Sequence, residues 1–220
     1  MRYFLLACLA FWGTVSWAQG EQRNRVDAAA DVVKDLSKIP EGIPPEMIRS
    51  AKAVVIIPNV IKAGFIVGGR FGRGVVVVRQ GNHFSAPLFV TIGGGSVGFQ
   101  AGVQSMDLVL VFRTQRSLDN LLKGKLTLGA DANVAAGPIG RHGEAATDLS
   151  LKAEVYSYSR ARGLFAGISL EGSWLAIDDD AAAAYYGRKW SRRDIINSRG
   201  IRAGSEVIRL RNALEQASKA

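Results

Sequence analysis

Glycine recurs inside apolar, strand-like sequence from Lys62 to Gln80 (KAGFIVGGRFGRGVVVVRQ) and again from Ser85 to Gln104 (SAPLFVTIGGGSVGFQAGVQ). Glycine weakens a strand interior unless backbones must approach closely, bulge or bend there. So many glycines within valine-, isoleucine- and phenylalanine-rich runs imply a tightly curved sheet. Each half reads as two apolar runs. Residues 64–69 and 74–79 are expected to form a hairpin around Arg70-Phe71-Gly72-Arg73. Residues 88–92 and 96–103 are expected to form another, turning at Gly93-Gly94-Gly95.

Helical and extended patterns flank this block. Residues 21–39 have helical spacing, with Val26, Ala29, Ala30, Val33 and Leu36 on one stripe. Pro40, Gly42, Pro44 and Pro45 break it, and Pro45 suits the first turn of a short helix reaching Ala51 or Lys52. Residues 53–57 (AVVII) read as a buried strand stopped by Pro58-Asn59. Residues 107–112 (DLVLVF) are a further strand. Ser117 to Gly124 reads as a short helix with Ser117 as N-cap and a terminal glycine. Strands are expected over 126–136 and 149–158 around a loop at 137–148, and a hairpin or bent strand over 164–177. After Asp178-Asp179-Asp180 the pattern turns helical at 181–186 and 191–197. Ser205 is expected to N-cap a last helix with a Val207, Leu210, Leu214, Ala217 stripe. The fold class is therefore α+β: a curved, mainly antiparallel, glycine-rich sheet, barrel-like, with N-terminal and C-terminal helices.

The N-terminus, MRYFLLACLAFWGTVSWAQG, reads as a secretory signal peptide over residues 1–18. It has Arg2, an apolar stretch too short for a spanning helix, and a small-x-small site at Ser16-Trp17-Ala18. Leu5-Leu6-Ala7-Cys8 resembles a lipobox but comes too early in the chain. Cys8 is the one cysteine and lies in the leader, so the mature chain carries no thiol chemistry and no disulfide. A domain over residues 19–187 and a basic helical tail over 188–220 complete the organisation. The net charge is +9. The tail holds nine lysines and arginines against three acids. Such a chain favours anionic partners, and export argues against nucleic acid. The expected location is periplasmic or extracellular, peripheral on a membrane.

The stretches AKAVVIIPNVIKAGFIVGGRFGRGVVVVR (51–79), SAPLFVTIGGGSVGFQAGVQSMDLVLVF (85–112), LGADANVAAGPIGR (128–141) and YSYSRARGLFAGISLEGSWL (156–175), closed by Tyr186-Gly187, resemble the SYLF-domain family. The likeness runs from about Lys38 to Ile196. SYLF domains occur in bacteria and eukaryotes, and the leader makes this chain similar to an exported bacterial member. The resemblance implies one α+β domain with no known enzymatic activity and no cofactor. Eukaryotic members bind phosphoinositides and some bind actin. An exported chain would not meet actin, so affinity for anionic phospholipid is the part that transfers. Where the family commonly has tryptophan before the serine at position 85, this chain has Phe84.

Several motifs point elsewhere. Gly93-x-Gly95-x-x-Gly98 matches a dinucleotide fingerprint, but that chemistry needs a helix opening at the third glycine, and Val97-Gly98-Phe99 continues as strand. Gly94-x-Ser96-x-Gly98 matches a nucleophile elbow, with Asp131 and His142 following in hydrolase order. The elbow requires strand–turn–helix, so a turn serine is the plainer reading and a serine hydrolase the rival. His142, Glu144 and Asp148 could be imagined around a metal, though their spacing matches no firm motif and no metal is assigned. His83 reads as a solvated loop residue. Asp178 to Asp180 read as helix-capping acids.

The expected function is non-enzymatic binding of anionic phospholipid, with no catalytic residue. The candidate contacts are basic turns and their neighbours: Lys62; Arg70, Phe71 and Arg73; Lys123 and Lys125 around Gly124; Arg160 and Arg162 before Gly163; and Arg188, Lys189, Arg192 and Arg193 in the tail. Arginine's planar fork suits phosphate, and Phe71 or Leu164 could dip into acyl chains. A basic amphipathic last helix could lie in the interface, or its apolar stripe could pack on the domain. The competing function is an envelope structural or stress protein that binds another protein or an acidic polymer; a protein partner or a homo-oligomer stays open beside the membrane as partner.

Overall fold

The computed structural model describes residues 2–39, 42–137, 153–161, 164–165 and 170–219. Helix α1 (Arg2–Lys38) leads into the short α2 (Pro45–Arg49) and then the long strand β1 (Ala53–Gln80). The small β2 (His83–Phe84) and a second long strand, β3 (Leu88–Phe112), follow. Next come α3 (Gln115–Leu122), β4 (Lys125–Thr127), β5 (Val134–Ala136), β6 (Val155–Ala161), β7 (Leu164–Phe165) and β8 (Trp174–Ile177). Helices α4 (Asp179–Tyr186), α5 (Arg192–Ile196) and α6 (Ser205–Ala217) close the chain. The order β2-β1-β3-β6-β5 forms one sheet, to which β7, β8 and β4 add. Among the described residues every strand pairing is antiparallel except β5 with β6. The α+β class and the curved, mainly antiparallel sheet are as the sequence implied.

The two hairpins expected inside the glycine block are replaced by one ladder. β1 pairs with β3 from Ala53↔Phe112 to Val76↔Leu88, so Arg70 faces Gly94 and Phe71 faces Gly93. The two glycine clusters lie opposite each other instead of forming two separate turns. The reversal occurs at Gly81-Asn82, between Gln80↔His83. Gly81 there has φ +60°, the conformation a tight hairpin turn demands and glycine supplies. Pro58-Asn59 does not stop the strand either. A register shift between Ile57 and Val60 absorbs both residues as a bulge, which leaves the missing proline donor outside the ladder.

Close approach explains the glycines. A Cβ on Gly74 would lie 2.1 Å from the Ile56 carbonyl oxygen, and one on Gly72 would lie 2.8 Å from Ile57 Cγ2. The second half of β1 therefore crosses its own first half nearly backbone to backbone. That curl lets β3 hold different neighbours at its two ends: β8 along Val90–Gly93 and β6 along Asp107–Phe112.

One core fills the curl, with Phe84, Phe89, Phe112, Ile56, Leu110 and Tyr158 among its buried side chains. The α1 stripe of Val26, Ala29, Ala30, Val33 and Leu36 is fully buried as its spacing implied. So are Val207, Leu210, Leu214 and Ala217 of α6. Arg209 ties α6 to α1 through Asp27, at 2.8 Å, and Asp31. The last helix spends its apolar face on the protein, which removes the reading of that face as a membrane-lying surface. Two caps and one strand differ from expectation. Thr114, not Ser117, caps α3 by accepting from the Ser117 N–H at 3.2 Å. Gly204, not Ser205, precedes α6. The expected strand over 126–136 is divided into β4 and β5 by a turn at Gly129, whose φ is +90°. Among the described residues no helix is long and apolar enough to cross a membrane.

Candidate binding surface

The outer face of the sheet carries the first group of candidates. Arg73 pairs with Thr91, Thr91 with Ala176, and Ala176 with Lys125, a row across four strands. The next row is Phe71, Gly93, Trp174 and Thr127. Directly opposed residues share a face, as do residues two apart on one strand. Phe71, Arg73, Trp174 and Lys125 therefore stand together. Gly93 leaves the room between them: a Cβ there would fall 2.4 Å from the Trp174 ring. The Arg73 guanidinium lies 5.6 Å from the Phe71 ring centroid, and the Lys125 ammonium 5.2 Å from that of Trp174. Phe71 keeps 48% of its surface exposed. Arg73 also comes within 3.7 Å of Glu21 of α1, with both side chains largely in solvent. A surface of this kind offers two aromatic bodies with cationic heads beside them.

The second group lies around a pocket of about 740 Å³ between β1, α3 and α5. Among the described residues its lining includes Lys52, Arg79, Lys123, Arg192 and Arg193, with Asp119 as the one carboxylate. Val78, Leu118 and Ile196 are its buried apolar part. Arg79 is held firmly: it donates from Nε to the Ala51 carbonyl at 3.1 Å and from Nη2 to the Ile48 carbonyl at 2.7 Å. Its guanidinium lies 4.2 Å from the Phe84 ring centroid. Burial lowers its pKa below the usual arginine value, with no carboxylate partner among the described residues. Arg192 is committed too. It grips Asp179 with two hydrogen bonds at 2.9 and 2.6 Å and donates to the Leu122 carbonyl at 2.6 Å. That grip holds the Asp179 carboxyl below its ordinary range. Lys52, Lys123 and Arg193 stay exposed, and among the described residues Lys123 alone makes a side-chain hydrogen bond, with Asn120 at 3.5 Å.

The expected turn at Gly124 is real, with φ +133°, and it places Lys123 and Lys125 at the junction of the two groups. Other candidates are apart. Lys62 sits half-exposed on β1 opposite Gln104, near the exposed Ile61 and Val103. Arg70 and Arg73 are strand residues, not hairpin tips. Arg160 is spoken for by Asp35 at 3.0 Å and Asp107 at 3.2 Å. Arg162 lies outside the described residues. Arg188 stacks 3.7 Å from the Trp190 ring centroid, and Lys189 is exposed beside it. Trp174, Lys52 and Arg79 went unread in the sequence. Trp174 sits in the quoted SLEGSWL stretch, but only the register shows it beside Lys125.

The rival chemistries lose their geometry. Ser96 lies within β3 opposite Gly68, with no helix opening after it, so neither the elbow nor the dinucleotide motif has its required turn. The Asp131 carboxylate accepts from the Thr127 N–H at 2.7 Å and serves its own turn. His142, Glu144 and Asp148 lie outside the described residues. Asp178 caps α4 by accepting from the Ala181 N–H at 2.9 Å, as expected of that acidic run.

Comparison with known proteins gives a consistent result. The family model described as "Ysc84: Las17-binding protein actin regulator" matches residues 93–217. The SH3 domain-containing YSC84-like protein 1 of Xenopus laevis is 39% identical over 168 residues, 73% of this chain and 50% of that protein. Its Homo sapiens counterpart is 36% identical over 182 residues, 79% of this chain and 53% of that protein. LAS seventeen-binding protein 3 of Saccharomyces cerevisiae is 37% identical over 177 residues, 79% of this chain and 38% of that protein. The chain thus spans about half the length, or less, of these relatives. The family description is of a binding protein, not of an enzyme.

Proposed function

The chain belongs to the Ysc84, or SYLF, family, and on that premise we propose that it is a non-enzymatic module binding anionic phospholipid at a membrane surface. The observation that carries this reading is the outer sheet face where Phe71 and Trp174 stand beside Arg73 and Lys125. Aromatic rings with an apolar body suit the headgroup level of a bilayer, and neighbouring cations suit its anionic phosphates. Each cation near an anionic surface contributes about 1 kcal/mol. Arg73, Lys125 and Lys123 therefore support reversible attachment, not insertion. The leader-like N-terminus fits a meeting with lipid outside the cytoplasm.

Co-sedimentation of the full chain with neutral and anionic vesicles, at low and high salt, tests this. Binding to anionic vesicles alone, weakened by salt, supports electrostatic lipid recognition. Indifference to lipid charge overturns it and favours the second reading, a protein partner. That second reading draws on the family's description as a Las17-binding actin regulator and on the name of LAS seventeen-binding protein 3.

A further inference from the structure

We propose that the pocket where α1, the end of α4 and the start of α6 meet is a binding site for one uronate unit of an acidic saccharide. The pocket measures about 360 Å³, and Arg23, Tyr186, Trp190, Gly200, Arg202 and Glu206 line it. It shares no residue with the aromatic sheet face or with the basic pocket beside α3. Arg23 and Arg202 are exposed and make no ion pair among the described residues. The two aromatic rings are already held in place. Tyr186 donates its phenol proton to the Pro87 carbonyl at 2.7 Å, and its ring stands edge-on to Tyr185, with 4.7 Å between centroids. The Arg188 guanidinium lies 3.7 Å from the Trp190 ring centroid. Gly200, with φ +69°, carries bare backbone past the indole, where a Cβ would stand 3.5 Å from Trp190 Cη2.

Glu206 decides which anion fits. Burial opposes its charge, yet the bonds it accepts from Tyr185 at 2.6 Å, from its own backbone N–H and from Ser205 at 3.3 Å, with Arg23 nearby, keep its carboxyl below the ordinary range. An ionised carboxylate in the pocket repels a compact dianion. A ligand must therefore bring hydrogen-bond donors together with its negative charge. A carboxylate has about four acceptor positions, so Glu206 keeps room for a ligand hydroxyl. A uronate supplies each element. Its planar carboxylate matches the parallel donors of a guanidinium fork. Its hydroxyls donate to Glu206, and the C–H face of its ring rests on an aromatic side chain. Rings that are fixed beforehand lose little freedom on binding. The volume of about 360 Å³ is that of a small-ligand site. The exposed arginines leave the neighbouring units of a polymer in solvent.

The site does not rest on the membrane reading, because neither Arg23 nor Arg202 belongs to the face of Phe71, Arg73, Lys125 and Trp174. Titration calorimetry of the full chain with trigalacturonate, its methyl ester and citrate tests it. The ester keeps the sugar rings and loses the charge; citrate keeps the carboxylates and loses the rings. The expected result is saturable binding of trigalacturonate and of neither other probe. An Arg23→Gln, Arg202→Gln double variant should weaken that binding roughly tenfold for each arginine removed. A Lys34→Gln, Arg116→Gln variant, which removes equal charge from exposed positions outside the pocket, should leave it unchanged. Citrate or the ester binding as tightly as trigalacturonate overturns the proposal. So does equal loss in both double variants, or no saturable trigalacturonate binding.

Discussion

Tyr185 donates a 2.6 Å hydrogen bond to Glu206 and so ties α4 to the first turn of α6. Both residues are buried. Burial works to raise the Glu206 pKa, but the bonds from Tyr185, its own backbone N–H and Ser205, with Arg23 nearby, outweigh it. The carboxyl is held below its ordinary range. Burial, and then the bond to Glu206, push the Tyr185 phenol up.

Tyr185→Phe should therefore cost about 1–3 kcal/mol at neutral pH, because a buried carboxylate loses its phenol donor. A carboxyl with a depressed folded pKa contributes stability that is present above its unfolded pKa, about 4.3 for glutamate, and lost as pH falls through the folded value. Wild type should thus lose more stability than Tyr185→Phe on acidification, and the gap should narrow below about pH 4. Urea unfolding at neutral and acidic pH reads both effects. A gap that is constant with pH would detach it from Glu206 ionisation.

Gly74→Ala should be among the most damaging single-methyl additions in the chain. The new Cβ would meet the Ile56 carbonyl at 2.1 Å and Ile57 Cα at 2.7 Å, backbone atoms that can give way only if the curl opens. Overpacking of this kind costs about 1–3 kcal/mol and more where backbone must shift. Gly69→Ala is the control, since the nearest atom there is 3.9 Å away. Its midpoint should stay within about 0.5 kcal/mol of wild type. Equal effects at the two positions would mean that intrinsic strand preference, and not the crossing of β1 over itself, governs these sites.

Curvature was legible in the sequence because interior glycine has few other uses in an apolar strand. The α1 stripe and the acidic cap at Asp178 were legible because both are local patterns. Register was not. Arg70-Phe71-Gly72-Arg73 and Gly93-Gly94-Gly95 look like turns one at a time, and only their mutual pairing makes them strand. The true turn, Gly81-Asn82, was signalled by its own dipeptide but is less conspicuous than the glycine triplet. The aromatic–cationic face depends on that same register, which brings Lys125 and Trp174 together from positions 49 residues apart. Charge alone also could not separate Arg160, neutralised by two aspartates from different elements, from Arg193, which meets no carboxylate among the described residues.

That difference predicts opposite phenotypes. Arg160→Gln leaves Asp35 of α1 and Asp107 of β3 without their cation and should loosen α1 from the sheet. The side chain is about one-fifth exposed, so the loss should be modest, about 1 kcal/mol. Association with anionic vesicles should be unchanged. Thermal unfolding and co-sedimentation on the same preparation check the pair. Weakened vesicle binding with unchanged stability would return Arg160 to the binding surface.

Arg73→Gln with Lys125→Gln should do the reverse. Both cations lie on the outer face, and the one ion pair there among the described residues, Arg73 with Glu21, is long and exposed. Folding stability should move by less than about 0.5 kcal/mol. Loss of two cations at an anionic surface should weaken vesicle association by about 2 kcal/mol, roughly thirtyfold. Raising the salt should shrink that difference, because screening already weakens the same attraction in wild type. Phe71→Ser on the same face should instead weaken association by an amount that salt does not alter, since it removes apolar area rather than charge. A Phe71→Ser variant that binds like wild type would confine the contact to charge, with the rings as mere supports for Arg73 and Lys125.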